Sequence, residues 1–85
     1  MKYTVEVTSS ARRQFKKLPE AIQEQLIPKI LLLETIPRPS GVKKLQVFDY
    51  YRIRIGDYRV VYSINDRAHL VKILDLGHRK DIYRG

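Results

Sequence analysis

Between Tyr50 and Ser63 the chain reads YYRIRIGDYRVVYS, and few folds accommodate such a stretch. Tyr51, Ile53 and Ile55 alternate with Tyr50, Arg52 and Arg54, the period of two that belongs to a strand with one buried face. Gly56-Asp57 follows as a two-residue turn, glycine first, as a type II′ hairpin prefers. A β-branched and aromatic run comes next, so the stretch predicts a β-hairpin. With Gly56 and Asp57 at its centre, Ile55 faces Tyr58, Arg54 faces Arg59, and Arg52 faces Val61. Arg52, Arg54 and Arg59 then project from one side, and Tyr51, Ile53, Ile55, Tyr58, Val60 and Tyr62 from the other. Like charges directly across a strand pair destabilise a sheet. An anion to be bound would explain them.

The rest of the chain limits what that anion is. At 85 residues, residues 1–85 form a single domain, near the lower size at which a core alone suffices. Its hydrophobic fraction of 44% and mixed charges are those of a globular protein. There are no cysteines, so neither disulfides nor a thiolate metal site are expected, and a reducing, cytoplasmic setting is compatible. No apolar run approaches the ~20 residues of a membrane span, and the start has no signal-peptide pattern. A net charge of +8 favours a polyanionic partner, nucleic acid first and an acidic protein second. Basic residues occur in both halves, so the fold and not a tail must display them.

Residues 1–8 alternate Tyr3, Val5 and Val7 with Lys2, Thr4 and Glu6, a short strand with one buried face. Thr8, Ser9 and Ser10 offer N-caps for a helix whose apolar line is Ala11, Phe15 and Leu18. Arg12, Arg13, Lys16 and Lys17 lie off that line, as on a solvated outer face with charge to spare for a phosphate backbone. Pro19 starts a second helix in the first-turn position, with Glu20 and Glu24 favoured by the dipole. Its stripe is Ile22, Leu26, Ile30 and Leu33, widened by Ile27 and Leu31, and Pro28 predicts a bend within it. Residues 35–41 form a turn-rich linker, and 42–49 a loop or short extended segment into the hairpin. After a turn at Asn65-Asp66-Arg67-Ala68, His69 to Leu76 reads as a central strand, and Gly77 lets the chain turn sharply into a polar tail.

Two histidines nine residues apart make no metal motif, and there is no phosphate-cradling glycine loop, so no metal or other cofactor is expected. Guanidinium groups, a histidine near the end and several tyrosines remain. Arginine offers planar, bidentate, permanent charge to phosphate oxygens and to the charge of a phosphorane. In RNA the nucleophile is the substrate's own 2′-hydroxyl, so a protein need only orient it, take its proton and stabilise the transition state. Histidine is the side chain suited to moving a proton near neutral pH, which makes His78 a candidate, and Tyr83 is another if nearby arginines lowered its pKa.

Tyr51-Arg52-Ile53-Arg54, then Asp57-Tyr58-Arg59-Val60-Val61-Tyr62, then Leu76-Gly77-His78-Arg79-Lys80-Asp81-Ile82-Tyr83-Arg84, resembles the RelE family of type II toxin–antitoxin toxins. The resemblance implies a small α+β domain, a mostly antiparallel sheet covered by an N-terminal helical hairpin, in the order β-α-α-β-β-β. It implies an mRNA interferase, an endoribonuclease acting on mRNA in the ribosomal A site beside ribosomal RNA, and neutralised by a RelB-like antitoxin. Arg52 and Arg54 fall where family members have active-site lysines. Arg59 and Arg79 fall on arginines at the scissile phosphate, and Tyr83 near a tyrosine proposed as base. His78 occupies a position often lysine or histidine, and the base is left open between His78 and Tyr83. Lys43, Lys44, Lys80 and Arg84 are further candidates for binding phosphate or RNA. Arginine is a poor proton shuttle, so Arg52 and Arg54 would act electrostatically. The related ParE toxins, which inhibit DNA gyrase without nuclease chemistry, are the alternative.

Overall fold

The computed structural model describes residues 2–45 and 50–78. Strand β1 (Thr4–Val7) leads into α1 (Ser9–Lys16) and α2 (Glu20–Leu32), followed by β2 (Lys43–Lys44), β3 (Tyr50–Ile55), β4 (Tyr58–Asn65) and β5 (Leu70–His78). The five strands form one sheet in the order β1-β5-β4-β3-β2. Only the β1–β5 pair is parallel. The expected architecture holds, with one addition: Lys43 and Lys44, read as loop or extended chain, pair with Arg52 and Tyr51 as a short fifth strand.

The hairpin has the register read from its turn, with Ile55 opposite Tyr58, Arg54 opposite Arg59 and Arg52 opposite Val61. Gly56 takes φ of +61° while Asp57 stays at negative φ, the signature of a type II′ turn. That conformation suits the right-handed twist of the strands it joins.

Both helices cover the face that carries Tyr51, Ile53, Val60, Tyr62, Ile64, Val71, Ile73 and Leu76. These residues form the core with Ala11, Leu26 and Leu33. Thr8 caps α1, its hydroxyl accepting from the Ala11 amide at 3.2 Å. Pro19 stands one place earlier than expected, as the N-cap of α2, where its preset φ suits the turn and its carbonyl accepts from Ile22 and Gln23. The helix continues through Pro28 to Leu32, as its apolar stripe suggests.

Two further expectations fail. Ile27 and Leu31 do not widen the buried stripe of α2; they are 45% and 53% exposed, while Leu26 and Leu33 are fully buried. A helix this short against one sheet buries a single line of side chains, and the flanking positions stay at the rim. Leu26→Ala should therefore cost about 2–5 kcal/mol, and Ile27→Ala no more than about 0.5 kcal/mol, measured by urea denaturation. Nor does the chain turn at Gly77. Strand β5 continues through it to His78, with Gly77 opposite Arg59 and His78 opposite Tyr58.

Candidate phosphate-binding site on the face opposite the helices

Strand β5 carries an irregularity that decides which side chains meet. Val61 pairs with Asp75, but its neighbour Tyr62 pairs with Ile73, so Leu74 is an extra residue in the ladder. Before this bulge the odd-numbered residues Val71 and Ile73 face the core; after it, the even-numbered Leu76 does. One inserted residue reverses the alternation of everything beyond it. His78 thus lies on the helix side, edge-on to Tyr58 with ring centroids 5.4 Å apart. It shares a pocket with Lys17, Leu18 and Pro19. In an unbroken ladder His78 would have shared the face of Arg59. The bulge puts Gly77 there instead.

On the face away from the helices the hairpin register assembles a basic pocket. Arg52, Arg54 and Arg59 line it together with Lys43 and Gly41, around a space of about 210 Å³. Three local features bring them there. Arg54 and Arg59 are a directly opposed pair next to the turn. Arg52 is one strand period back, and Lys43 is its partner across β2. Gly41 turns the chain into β2 at the pocket wall with φ of +86°, a backbone conformation that favours glycine. Arg59 is buried, at 7% exposure, whereas Arg54 reaches solvent. A buried guanidinium beside two others and an ammonium raises the local positive potential, which a phosphate would offset with charge-assisted hydrogen bonds.

Of the other candidates, Lys44 is exposed and pairs with Tyr51, so alternation directs it away from Lys43. Arg79, Lys80, Tyr83 and Arg84 lie outside the described residues.

The sequence reading missed a second assembly, at the opposite end of the hairpin. Arg38, in the linker, donates from Nη1 and Nη2 to the two carboxylate oxygens of Asp66 at 3.2 and 2.9 Å. Its Nε donates to the Tyr51 hydroxyl at 3.2 Å, and its guanidinium lies 5.1 Å from the centre of the Tyr51 ring. The Tyr3 hydroxyl donates to Asp66 Oδ1 at 2.5 Å. Arg38, and secondarily Tyr3, hold the Asp66 carboxyl below the usual carboxylate range. One residue earlier, the Pro37 carbonyl accepts from the Tyr62 hydroxyl at 2.8 Å. Arg38 and Asp66 stand 28 residues apart, and no local spacing announces such a pair.

The matching family model is that of the ParE toxin of the type II toxin–antitoxin system, parDE, and it spans residues 5–83. The chain belongs to the RelE/ParE family of type II toxins. Among relatives of this RelE/ParE toxin, Toxin RelG of Mycobacterium tuberculosis is 36% identical over 87 residues, covering 99% of each chain. The mRNA interferase toxin RelE of Escherichia coli K12 is 28% identical over 82 residues, covering 94% of this chain and 86% of that one. The toxin in the archaeal RelE–RelB complex from Pyrococcus horikoshii superposes with a TM-score of 0.84 at 35% identity, over 93% of this chain and 97% of that one. Both helices and the mixed sheet are thus those of RelE toxins.

Proposed function

We propose that this toxin is an mRNA interferase that cleaves mRNA in the ribosomal A site, and that its basic pocket receives the scissile phosphate. The observation that carries this reading is the convergence of Lys43, Arg52, Arg54 and Arg59 on one space, with two of the arginines face to face. The name of the E. coli relative supports it. In the reaction the 2′-oxygen of the substrate forms a bond to phosphorus and the bond from phosphorus to the 5′-oxygen breaks. The products are a 2′,3′-cyclic phosphate and a 5′-hydroxyl. Arg52, Arg54, Arg59 and Arg79 supply charge to the phosphorane, and Lys43 with Lys80 and Arg84 grip the flanking backbone. Lys44, at the sheet edge, adds charge towards ribosomal RNA. The orientation of His78 beside Tyr58 favours Tyr83 as the base that takes the 2′-proton.

The neutralising partner is a RelB-like antitoxin, as the RelE–RelB pairing of the Pyrococcus relative suggests, and the setting is the cytoplasm. An acidic chain would be steered to a surface of this charge.

The description of the matching family as ParE favours a second reading, a gyrase inhibitor without nuclease activity. One experiment separates the two. After brief induction, 5′ ends of cellular mRNA are mapped with and without ribosome stalling, and plasmid supercoiling is measured in the same cells. New 5′-hydroxyl ends within translated codons, with supercoiling unchanged, are the expected result. Intact mRNA with relaxed plasmid would overturn the interferase reading in favour of gyrase.

A further inference from the structure

Strand β2 forms one wall of the basic pocket, and its attachment is short: a two-residue ladder extended by the Leu45 amide donating to the Tyr50 carbonyl at 2.8 Å. Its chain arrives from the linker, rises past Gly41 and descends alongside β3. Just before that strap in the chain lies the assembly around Arg38. Tyr62 holds Pro37, Asp66 and Tyr51 hold Arg38, and the Val42 amide closes the following turn on the Pro39 carbonyl at 3.1 Å. Five residues after Arg38 comes Lys43, paired with Arg52 and lining the pocket. A half-exposed ion pair contributes little stability by itself. Its geometric effect is larger, because the fork admits few orientations of the linker.

We infer that Arg38 is a positioning residue: anchored on Asp66 and Tyr51, it sets the linker so that Lys43 and the Gly41 backbone close the anion pocket. The inference rests on the phosphate reading of that pocket. Arg38 itself stays engaged at the far end of the hairpin and acts through Lys43.

The test exploits the sign of a charge. Asp66→Ala releases Arg38 and also makes the protein more basic, so electrostatics alone predicts tighter binding of RNA. Positioning predicts weaker binding. The probe is a fluorescein-labelled, single-stranded 2′-O-methyl RNA ten-mer, which has no free 2′-hydroxyl and so stays intact. Its affinity is measured by anisotropy across a salt series, well below the melting temperature of each variant. Lys43→Ala should weaken binding several-fold and reduce the salt slope by about 0.7, the loss of one phosphate contact to a single strand. Asp66→Ala should do the same, and the double variant should lose clearly less than the sum of the two single losses. Arg38→Lys retains the charge but not the fork, and should match Asp66→Ala. If Lys43→Ala weakens binding while Asp66→Ala and Arg38→Lys leave it unchanged or tighter, the positioning role is wrong and the pocket stands. Additive losses in the double variant also overturn it. If none of the variants changes affinity or slope, the phosphate reading falls as well.

Discussion

Arg54→Gln is expected to raise the melting temperature while removing most of the toxicity. Arg54 is the solvent-exposed member of a directly opposed arginine pair, Arg54 and Arg59, at the closed end of the hairpin. Glutamine keeps the polarity and much of the stem but removes one of two like charges, relieving about 0.2–1 kcal/mol of cross-strand repulsion. At roughly 4–8 °C per kcal/mol for a domain of this size, the gain is a few degrees by calorimetry. It should shrink as salt is added, since an exposed charge is screened over about 8 Å at physiological ionic strength. On the proposed interferase reading, with Arg54 at the scissile phosphate, cleavage moves the other way. Removing one group that stabilises transition-state charge typically costs about 10²–10³ in rate. Induced cells should therefore keep growing while containing at least as much folded protein. A variant that melts lower and cleaves as fast as the parent would mark Arg54 as an ordinary surface arginine. The opposed signs matter because a merely damaged protein loses both quantities together.

The hairpin and its arginines could be read in advance because each determinant is local. The alternation, the Gly-Asp turn and the register all lie within fourteen consecutive residues. The helices were legible for the same reason, down to the Thr8 cap and the buried Leu26 and Leu33. What failed was everything set by a distant partner. Around Leu74 the run Ile73-Leu74-Asp75-Leu76 satisfies either phase of a strand, and only pairing with β4 selects the bulge. His78 consequently lands with Tyr58 and not with Arg59. Burial on α2 is decided by where the sheet lies beneath it, so Ile27 and Leu31 look like core residues in the chain and stand at the rim in the fold. The Arg38–Asp66 fork joins a linker to a turn across the molecule, and each residue in isolation reads as a surface charge. The pocket could thus be foreseen in its arginines and in Lys43, but not in the β2 pairing that sets Lys43 opposite Arg52, nor in the wall at Gly41.

Tyr62 is where stability should prove most sensitive. Its side chain is fully buried, stacked on Tyr51 with ring centroids 5.9 Å apart, and its hydroxyl holds the Pro37 carbonyl. Tyr62→Ala should cost about 3–5 kcal/mol in packing, a large part of the roughly 5–15 kcal/mol available to a small domain. At roughly 4–8 °C per kcal/mol, the melting temperature of the variant should fall by at least about 12 °C by circular dichroism. Tyr62→Phe keeps the ring and loses only a hydrogen bond, about 1 kcal/mol. The two substitutions also separate packing from titration. Burial pushes the Tyr62 phenol well above its ordinary value near 10. In the unfolded chain it ionises near pH 10, while the folded protein keeps it neutral. Its contribution is therefore complete below pH 10 and is lost as the pH rises from there towards the folded pKa. Melting temperature should be level from pH 7 to 9 and fall above 10. The fall should be shallower in Tyr62→Phe, with a residue left by Tyr3, whose phenol Asp66 also holds up. Identical alkaline slopes in parent and Tyr62→Phe would mean that the buried phenol is reached by water.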